Sequence, residues 1–197
     1  MRAIIDRLIS WMGLVLAIVL LVAGGMLTWA HNFIGDQVQQ QLSSQKITMP
    51  AGPALTTPEM RQHLGQYAGQ PMTTGPQAKA YADYYIAAHV AEASGGKSYA
   101  QVSTEQMAAA KADPTSAQTA KLSELKNTMF MGETLRGLLL YAYAFATIGT
   151  IAGYAAVGAY VGGVLVLLLA GLGLLHARRA QTAVSTVAPP LGTVRTA

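Results

Sequence analysis

The sequence contains no cysteine. Disulfide bonds, thiolate nucleophiles and cysteine-based zinc sites are therefore excluded together. Charged residues make up only 11% of the chain, well below the roughly 25% that is typical of soluble domains. Long lipid-facing segments would produce such a shortage, and the hydrophobic share of 52% agrees with this explanation.

Charge is most completely absent from residues 137–175, which contain no Asp, Glu, Lys, Arg, His, Asn, Gln or Pro. An apolar run of 18 or more residues is typical of a membrane span. A second apolar run extends from Trp11 to Trp29. The sequence therefore predicts an all-α membrane protein, in which two transmembrane helices flank an extracytoplasmic helical domain.

Five segments follow from this pattern. They are a cytoplasmic N-terminus at 1–10, a first transmembrane helix at 11–31, an extracytoplasmic helical domain at 32–136, a long hydrophobic helical segment at 137–175 that contains the second transmembrane helix at about 153–175, and a disordered cytoplasmic tail at 176–197. The disorder is expected from Gln181 onwards, where threonine and a Pro-Pro pair are concentrated.

The first apolar run has two interpretations. A cleaved signal peptide has an apolar region of about 7–15 residues, and the run from Trp11 to Trp29 is longer. Tryptophan at each end suits the headgroup zone of a bilayer, whereas Trp29 fits poorly beside a small-residue cleavage site. An uncleaved anchor is the favoured interpretation.

Basic residues predict the orientation. Residues 32–135 carry eight acidic and seven basic side chains, so the net charge of +4 arises from arginines that flank the apolar runs. This distribution argues against a nucleic-acid-binding face. Because Arg2 and Arg7 precede the first run, and Arg178 and Arg179 follow the last, both termini are expected in the cytoplasm. The protein is thus expected in the plasma membrane, with most of the chain outside the cytoplasm.

The length of the 137–175 run leaves alternatives open. As one helix it would be about 58 Å long, nearly twice the hydrocarbon core of a bilayer. Residues 153–175 could span while 137–152 extend outward, the run could fold as a hairpin that gives three spans in all, or a helix could break near Gly158, Gly162 and Gly163. The first arrangement is favoured because the run offers a hairpin no Pro, Asn or charge for its turn.

The middle of the chain shows helix signals throughout. Phe33, Ile34, Val38 and Leu42 continue the first helix outward at helical spacing. Four helix starts are predicted, at Thr57-Pro58, at Gly75-Pro76 for a helix over 77–93 that ends at Gly95-Gly96, at Ser103 with Gln106 as a capping box, and at Asp113-Pro114. Lys79 and Asp83 are expected to pair, since they lie four residues apart.

A metal site was considered at His89 and Glu92. Their i, i+3 spacing allows two side chains on one helix to share a metal, but di-metal carboxylate sites need this pair twice, with further carboxylates. The sequence offers no second pair, so an ordinary helix surface is favoured and neither a metal nor another cofactor is expected.

Aromatic and small residues carry the remaining predictions. Tyr81, Tyr84 and Tyr85 are expected to pack in a core, and Tyr141 and Tyr143 to lie at an interface, like Trp11 and Trp29. Small residues four apart let membrane helices approach closely, which predicts a close partner, either the first span or another protein. They are Gly149 with Gly153, Gly158 with Gly162, and the row Ala155, Ala159 and Gly163.

Several activities lack their sequence signals. Neither apolar run contains an ionisable residue, which argues against ion or proton transport. A phosphate-binding loop and the G-x-S-x-G motif of hydrolases are also missing. We therefore expect a protein without catalytic residues.

Four segments carry a family resemblance: GGMLTWAHNFIGDQVQQQLSSQKITMP, PALTTPE, GPQAKAYADYYIAAH and MGETLRGLLLYAYAFATIGTIAGY, followed by HARRA. They resemble a family of small, uncharacterised two-span membrane proteins of actinobacteria, of mycobacterial type, over about residues 1–180. Some members carry the label aromatic ring-opening dioxygenase. That activity needs a set of metal ligands, which this sequence does not offer, so the resemblance implies a topology and no catalytic residue.

Three functions are compatible with these features. The favoured one is a non-catalytic accessory or scaffold subunit of a membrane or cell-envelope complex, with other membrane protein subunits as partners. The alternative is a module that binds a lipid or small apolar ligand between the extracytoplasmic domain and residues 137–152. A metalloenzyme using His89 and Glu92 ranks last.

Overall fold

The computed structural model describes the backbone of residues 2–187 and the side chains of residues 5–179. Two long helices, α1 at Arg2–Ser44 and α6 at Ala117–Val187, hold most of the apolar sequence. Shorter helices lie between them: α2 at Pro58–Leu64, α3 at Gly75–Ala80, α4 at Ala87–Ser94 and α5 at Tyr99–Ala112. Single 3-10 turns occupy Gly52–Ala54 and Gly65–Tyr67, and a π-helical segment at Tyr81–Ile86 joins α3 to α4.

Residues 2–187 contain no β-strand, and the predicted all-α class is confirmed. The structure also has two helices that are long and apolar enough to cross a membrane, with mean hydropathies of 2.4 and 2.2 in their most apolar windows. Only 17% of each window is buried, so most of these apolar side chains face outward. A buried core helix of a soluble protein would show the opposite.

The chain divides into two compact units. The first, which we call the helix pair, consists of Met1–Ala30 and Ile151–Ala197, and its described part is formed by α1 and α6 alone. The second, the helical domain, consists of His31–Thr150.

The helical domain has a methionine-rich core. Its largest fully buried side chains come from α1, α2, α6 and the connecting loops. They are Leu42, Met49, Met60, Leu64, Met72 and Leu139. Backbone hydrogen bonds from Met49 N to Gln70 O (2.8 Å) and from Met72 N to Ile47 O (2.9 Å) join the two loops that flank α2. These bonds satisfy loop backbone groups that burial would otherwise leave unpaired.

Side-chain caps begin the short helices. Thr57 accepts a hydrogen bond from the Met60 amide at 3.1 Å and starts α2 as predicted. Thr74 and Gln77 form a capping box at α3, which begins at the predicted Gly75-Pro76. The Gln77 carboxamide is buried and also accepts from the Thr73 amide at 2.8 Å. This side chain therefore fixes both the helix start and the chain that enters it.

Two predicted helix starts differ from the structure. The capping box of α5 is formed by Ser98 and Gln101, and Ser103 lies inside the helix. Helix α6 begins at Ala117, not beside Asp113-Pro114, because Ser116 accepts a hydrogen bond from the Thr119 amide at 3.2 Å. Asp113 instead accepts a hydrogen bond from the Thr115 amide at 2.8 Å, which stabilises the turn before the helix.

The helix predicted over 77–93 is one continuous rod from Gly75 to Ser94, but its middle turn is π-helical. Ala78, Ala82 and Ile86 all face the core. The wider turn lets these three side chains, which are four residues apart, reach the same buried surface. Gly95, with φ of 61°, ends the rod in the left-handed conformation that glycine adopts without strain.

Helix α6 runs through the 137–175 run without a break, so the hairpin and the helix break are both wrong for this chain. Residues 137–150 belong to the helical domain, where Leu139 is buried and Leu140, Ala142 and Ala146 pack against the core. The helix also continues to Val187, past Gln181 where disorder was expected. Residues 188–197 of the predicted tail lie outside the described residues.

Candidate functional site

The two weak metal candidates are exposed on α4. Both His89 and Glu92 point to the surface, and His89 Nδ1 lies 2.7 Å from the carbonyl oxygen of Tyr85. One ring nitrogen of His89 is thus already engaged by its own helix. Among the side chains of residues 5–179, no group of three or more His, Asp or Glu residues is placed to hold a metal ion.

The three tyrosines at the π-helical segment pack against the core of the helical domain. Tyr81 and Tyr85 stack with ring centroids 4.9 Å apart, and Tyr84 stacks on His63 at 3.9 Å with nearly parallel rings. Burial raises the pKa of Tyr81, and the neighbouring Tyr85 adds to the shift. These rings link α2 to the π-helical segment.

A cluster of charged side chains lies beside these tyrosines. Lys79 pairs with Asp83, as the spacing predicted, and the hydrogen bond to Asp83 raises the pKa of Lys79. The Lys79 ammonium also lies 5.6 Å from the centre of the Tyr143 ring. Arg136 lies 3.7 Å from Asp83 and 3.5 Å from Glu133. Opposite charges balance in this cluster, so it offers no net attraction for an anion or a cation.

An open groove of about 520 Å³ runs along the helical domain between α1 and α6. One wall carries three amides: Gln37 and Gln41, which are one turn apart on α1, and Gln45 in the turn that follows the helix. The remaining lining is apolar or aromatic: Phe33, Ile34, Val38, Leu42, Leu138, Tyr141, Ala142, Phe145 and Ile148. None of the described side chains that line the groove is charged. Its chemistry suits an amphiphile with an uncharged, hydrogen-bonding part.

A ligand site beside residues 137–152 was expected from the sequence, but the wall of this groove that α1 forms was not. The available signal was the row of glutamines at every fourth position, which continues to Gln45. The opposite wall comes from residues about 100 positions further along the chain, and helical spacing carries no information on that distance.

A second exposed feature is the Phe130 patch, which we define as Tyr99, Phe130 and Met131. The rings of Tyr99 and Phe130 lie 6.1 Å apart, which joins the start of α5 to α6. The three side chains are 39%, 56% and 59% exposed. All three precede the apolar run at 137–175, so contact of that run with lipid would not account for their exposure.

Small residues hold α1 against α6 in the helix pair. An ideal Cβ on Gly13 would lie 3.2 Å from Ala170 Cβ, and one on Gly24 would lie 2.9 Å from the Tyr160 ring. As residue numbers rise on α1 they fall on α6, so the helices are antiparallel. Gly163 faces Leu21 of α1. An ideal Cβ on Gly163 would lie 3.4 Å from the carbonyl oxygen of Ala17.

The contact positions repeat every seven residues on both helices. On α1 the buried small residues are Ser10, Ala17 and Gly24. On α6 they are Ala156, Gly163, Ala170 and Ala177. We call this double row the seam. A seven-residue repeat of side chains that face one partner is the pattern of a left-handed supercoil, and small side chains let the two backbones approach closely.

The small residues singled out from the sequence fall into two groups. In the helix pair, Gly163 and Gly162 face α1. An ideal Cβ on Gly162 would lie 3.8 Å from the Leu20 side chain. In the helical domain, Gly149 lies against Ile34 of α1 in the same way, at 3.1 Å. Three others point away from the seam or lie at its edge: Ala155 and Gly158 are exposed, and Ala159 is half-buried.

Gly153 is half-buried on α6. The sequence-based prediction used small residues that lie four positions apart. The seven-residue repeat, with Ser10, Ala17 and Gly24 opposite, was also visible in the sequence and was missed.

The aromatic residues predicted at interfaces occupy different surroundings. Trp11 is 52% exposed, Trp29 67% and Tyr141 66%. Tyr143 is half-buried beneath Lys79, and therefore has a protein contact. Of the arginines predicted to set the orientation, Arg7, Arg178 and Arg179 are exposed, and the side chain of Arg2 lies outside the described residues.

No protein-family model, curated protein or solved structure matches the chain. The resemblance to actinobacterial membrane proteins thus stays a prediction.

Proposed function

We propose that this chain is a two-span membrane protein whose helical domain lies outside the cytoplasm and serves as an accessory or scaffold subunit. The outward-facing apolar side chains of the helix pair support insertion in a bilayer. Arg7 at one end of the chain, with Arg178 and Arg179 at the other, supports cytoplasmic termini.

The orientation has a direct test. A tag inserted in the exposed Gly95-Gly96 turn is cleaved by protease added to intact cells, whereas a reporter fused after Ala197 is protected. The reverse pattern of cleavage would overturn the proposed orientation. Retention in the membrane after an alkaline wash checks insertion itself.

The Phe130 patch is the observation that carries the scaffold function. Soluble surfaces show single exposed apolar residues routinely, but adjoining large ones mark interaction sites. Tyrosine and phenylalanine are enriched where protein partners bind, because they bury much apolar area with few rotatable bonds, and methionine is enriched because its flexible thioether adapts to the partner's surface. The partner is expected to be another envelope or membrane protein that presents a complementary apolar surface to the helical domain.

Native electrophoresis of detergent-extracted membranes tests this function. The wild-type chain should migrate in a species larger than a monomer, and Phe130→Ser should shift it to a smaller one. Lys121→Ser is the matched control, because Lys121 is also exposed on α6 but lies nine residues earlier, on the opposite side of the helix. A solitary wild-type monomer, or an equal shift in both variants, would contradict the proposal.

The groove along α1 and α6 favours a second candidate function, the binding of a lipid. The sequence analysis placed such a ligand beside residues 137–152, and the groove lies there, with α1 as its other wall. Its apolar lining suits an acyl chain, and the three glutamine amides can hydrogen-bond to an ester or hydroxyl group. In this candidate the helical domain holds one lipid molecule outside the bilayer core.

Mass spectrometry of lipid retained on the purified chain separates the second candidate from the first. Gln41→Trp places a bulky ring at the groove wall and should reduce the retained lipid. Gln40→Trp is the control, since Gln40 is the exposed residue immediately before Gln41 on α1 and does not line the groove. Equal lipid retention in both variants and the wild type would exclude the groove as the site.

A further inference from the structure

A small cleft opens between α1 and α6 at the end of the helix pair that carries the arginines. It has a volume of about 190 Å³ and is lined by Arg7 and Trp11 from α1 and by Leu174, Ala177 and Arg178 from α6. The volume is several times the roughly 30 Å³ that one water molecule occupies in the liquid. Within the described side chains, this lining includes two cations and no acid.

The seam explains why space exists here. Ala177 is the last small residue of the α6 row and is buried between the helices. Because its side chain is a single methyl group, it does not fill the space between the longer side chains on each side. Arg7 and Trp11 are one turn apart on α1, so guanidinium and indole line the same wall of the cleft.

The opposite side of the seam is different. A wider groove of about 570 Å³ there is lined by Asp6, His176 and eight residues that are apolar or small. Among the side chains of residues 5–179, an acid lines that groove and no arginine or lysine does. At one end of one helix pair, therefore, two arginines line one side and an acid lines the other. An orientation signal alone does not require this division, because the positive-inside rule counts charge near a span and not the side on which it lies.

We propose that the Arg7–Arg178 cleft binds the phosphate of an anionic membrane phospholipid. This proposal rests on the proposed insertion in a bilayer. Arginine presents several N–H donors in a planar fork that matches phosphate oxygens, and one arginine from each helix allows a single phosphate to bridge α1 and α6. Trp11 occupies the headgroup level, where indole is favoured. Basic clefts between transmembrane helices on the cytoplasmic side are suited to anionic headgroups.

Native mass spectrometry of the full chain, released from nanodiscs of phosphatidylglycerol or of phosphatidylcholine, tests the proposal. We expect phosphatidylglycerol adducts on the wild type, and a fall of about fivefold in Arg7→Gln or Arg178→Gln, the size expected for losing one basic residue near an anionic surface. Arg179→Gln is the matched control, because Arg179 is the adjacent exposed arginine and does not line the cleft. Arg7→Lys should retain more lipid than Arg7→Gln.

The outcomes separate this proposal from the proposed function. An alkaline wash that releases the wild-type chain from membranes would overturn the insertion itself. A chain that stays inserted, but loses as much phosphatidylglycerol in Arg179→Gln as in Arg7→Gln, would overturn the cleft alone. Displacement of the lipid by inorganic phosphate at modest excess would identify a site for free anions and would also overturn it. Circular dichroism must show equal helicity in all variants compared.

Discussion

The Nδ1 atom of His31 lies 2.7 Å from the carbonyl oxygen of Gly149, which joins α1 to α6 within the helical domain across 118 positions of the chain. Close approach makes this bond possible, because an ideal Cβ on Gly149 would lie 3.1 Å from Ile34 Cγ2, one turn further along α1. A glycine carbonyl on one helix and a histidine on the other thus form one contact point.

Replacing His31 with alanine should therefore weaken the helical domain. The loss of one partly buried hydrogen bond costs about 0.5–1.5 kcal/mol of unfolding free energy. Thermal unfolding in detergent, followed by circular dichroism, measures the change. His31→Gln retains a donor that can reach the same carbonyl and should recover part of the stability. Asn32→Ala, at the next exposed position, is the control, and an equal loss in that variant would contradict the explanation.

The register of the seam can be tested with introduced cysteines, because the natural chain has none. An ideal Cβ on Gly173 lies 3.5 Å from Ser10 Cβ, which is within the range of disulfide bonds. The double variant Ser10→Cys, Gly173→Cys should therefore form an intramolecular bond under mild oxidation, seen as a mobility change that reductant reverses.

The pair Ser10→Cys, Gly171→Cys is the control for that experiment. A side chain at Gly171 would face open space, with no described atom of α1 within 4 Å. Cross-linking of the control pair at the same rate, or of neither pair, would show that the antiparallel register is incorrect.

Two glycines in the helical domain should respond in opposite directions to alanine. A Cβ on Gly75 would overlap the Ala146 methyl group and lie 3.2 Å from Tyr143 Cα, so Gly75→Ala forces α3 away from α6. We expect a loss of about 1–3 kcal/mol in unfolding free energy. A Cβ on Gly35 meets nothing within 4 Å, and Gly35→Ala should stabilise α1 by about 0.5–1 kcal/mol. Denaturant titration measures both, and a loss in Gly35→Ala would contradict the assignment.

The helical domain should lose stability at alkaline pH. Burial raises the pKa of Tyr81 above its ordinary value of 10.0, so the folded chain holds this proton more tightly than the unfolded chain. The hydrogen bond to Asp83 raises the pKa of Lys79 above 10.5, with the same consequence. Both contributions are complete below the unfolded pKa values and are lost as pH rises through the folded ones.

The melting temperature should accordingly stay level up to about pH 9 and fall as pH rises through 10 and above, and it should fall less in Tyr81→Phe, which has no phenol to ionise. Tyr99→Phe, which removes an exposed phenol, serves as the control. A pH dependence that is unchanged in Tyr81→Phe would show that Tyr81 does not contribute to it.

Local signals predicted much of the fold. The all-α class, the outward continuation of α1 and the starts at Thr57 and Gly75 rest on neighbouring residues, and these were correct. At α5, both Ser98 and Ser103 have a glutamine three residues later. The structure uses Ser98 because Gly95 and Gly96 have just ended the preceding rod, so the next available cap starts the new helix.

Features that depend on distant contacts were not predicted. The π-helical turn at Tyr81–Ile86 follows from the packing of its alanines and isoleucine on a core formed by other segments. The groove requires Gln41 of α1 to lie near Phe145 of α6, which no periodicity encodes. The cleft at Arg7 and Arg178 likewise depends on the register of the seam, although both arginines were identified for their charge.

The seam also determines which substitutions the chain can accept. Its positions are expected to accept only glycine, alanine or serine, since a longer side chain would push the helices apart. The exposed leucines, valines and isoleucines between them should be interchangeable. A library of all single substitutions should therefore show two classes of site within one hydrophobic stretch, with near-uniform loss of the protein every seventh residue and broad tolerance between those positions.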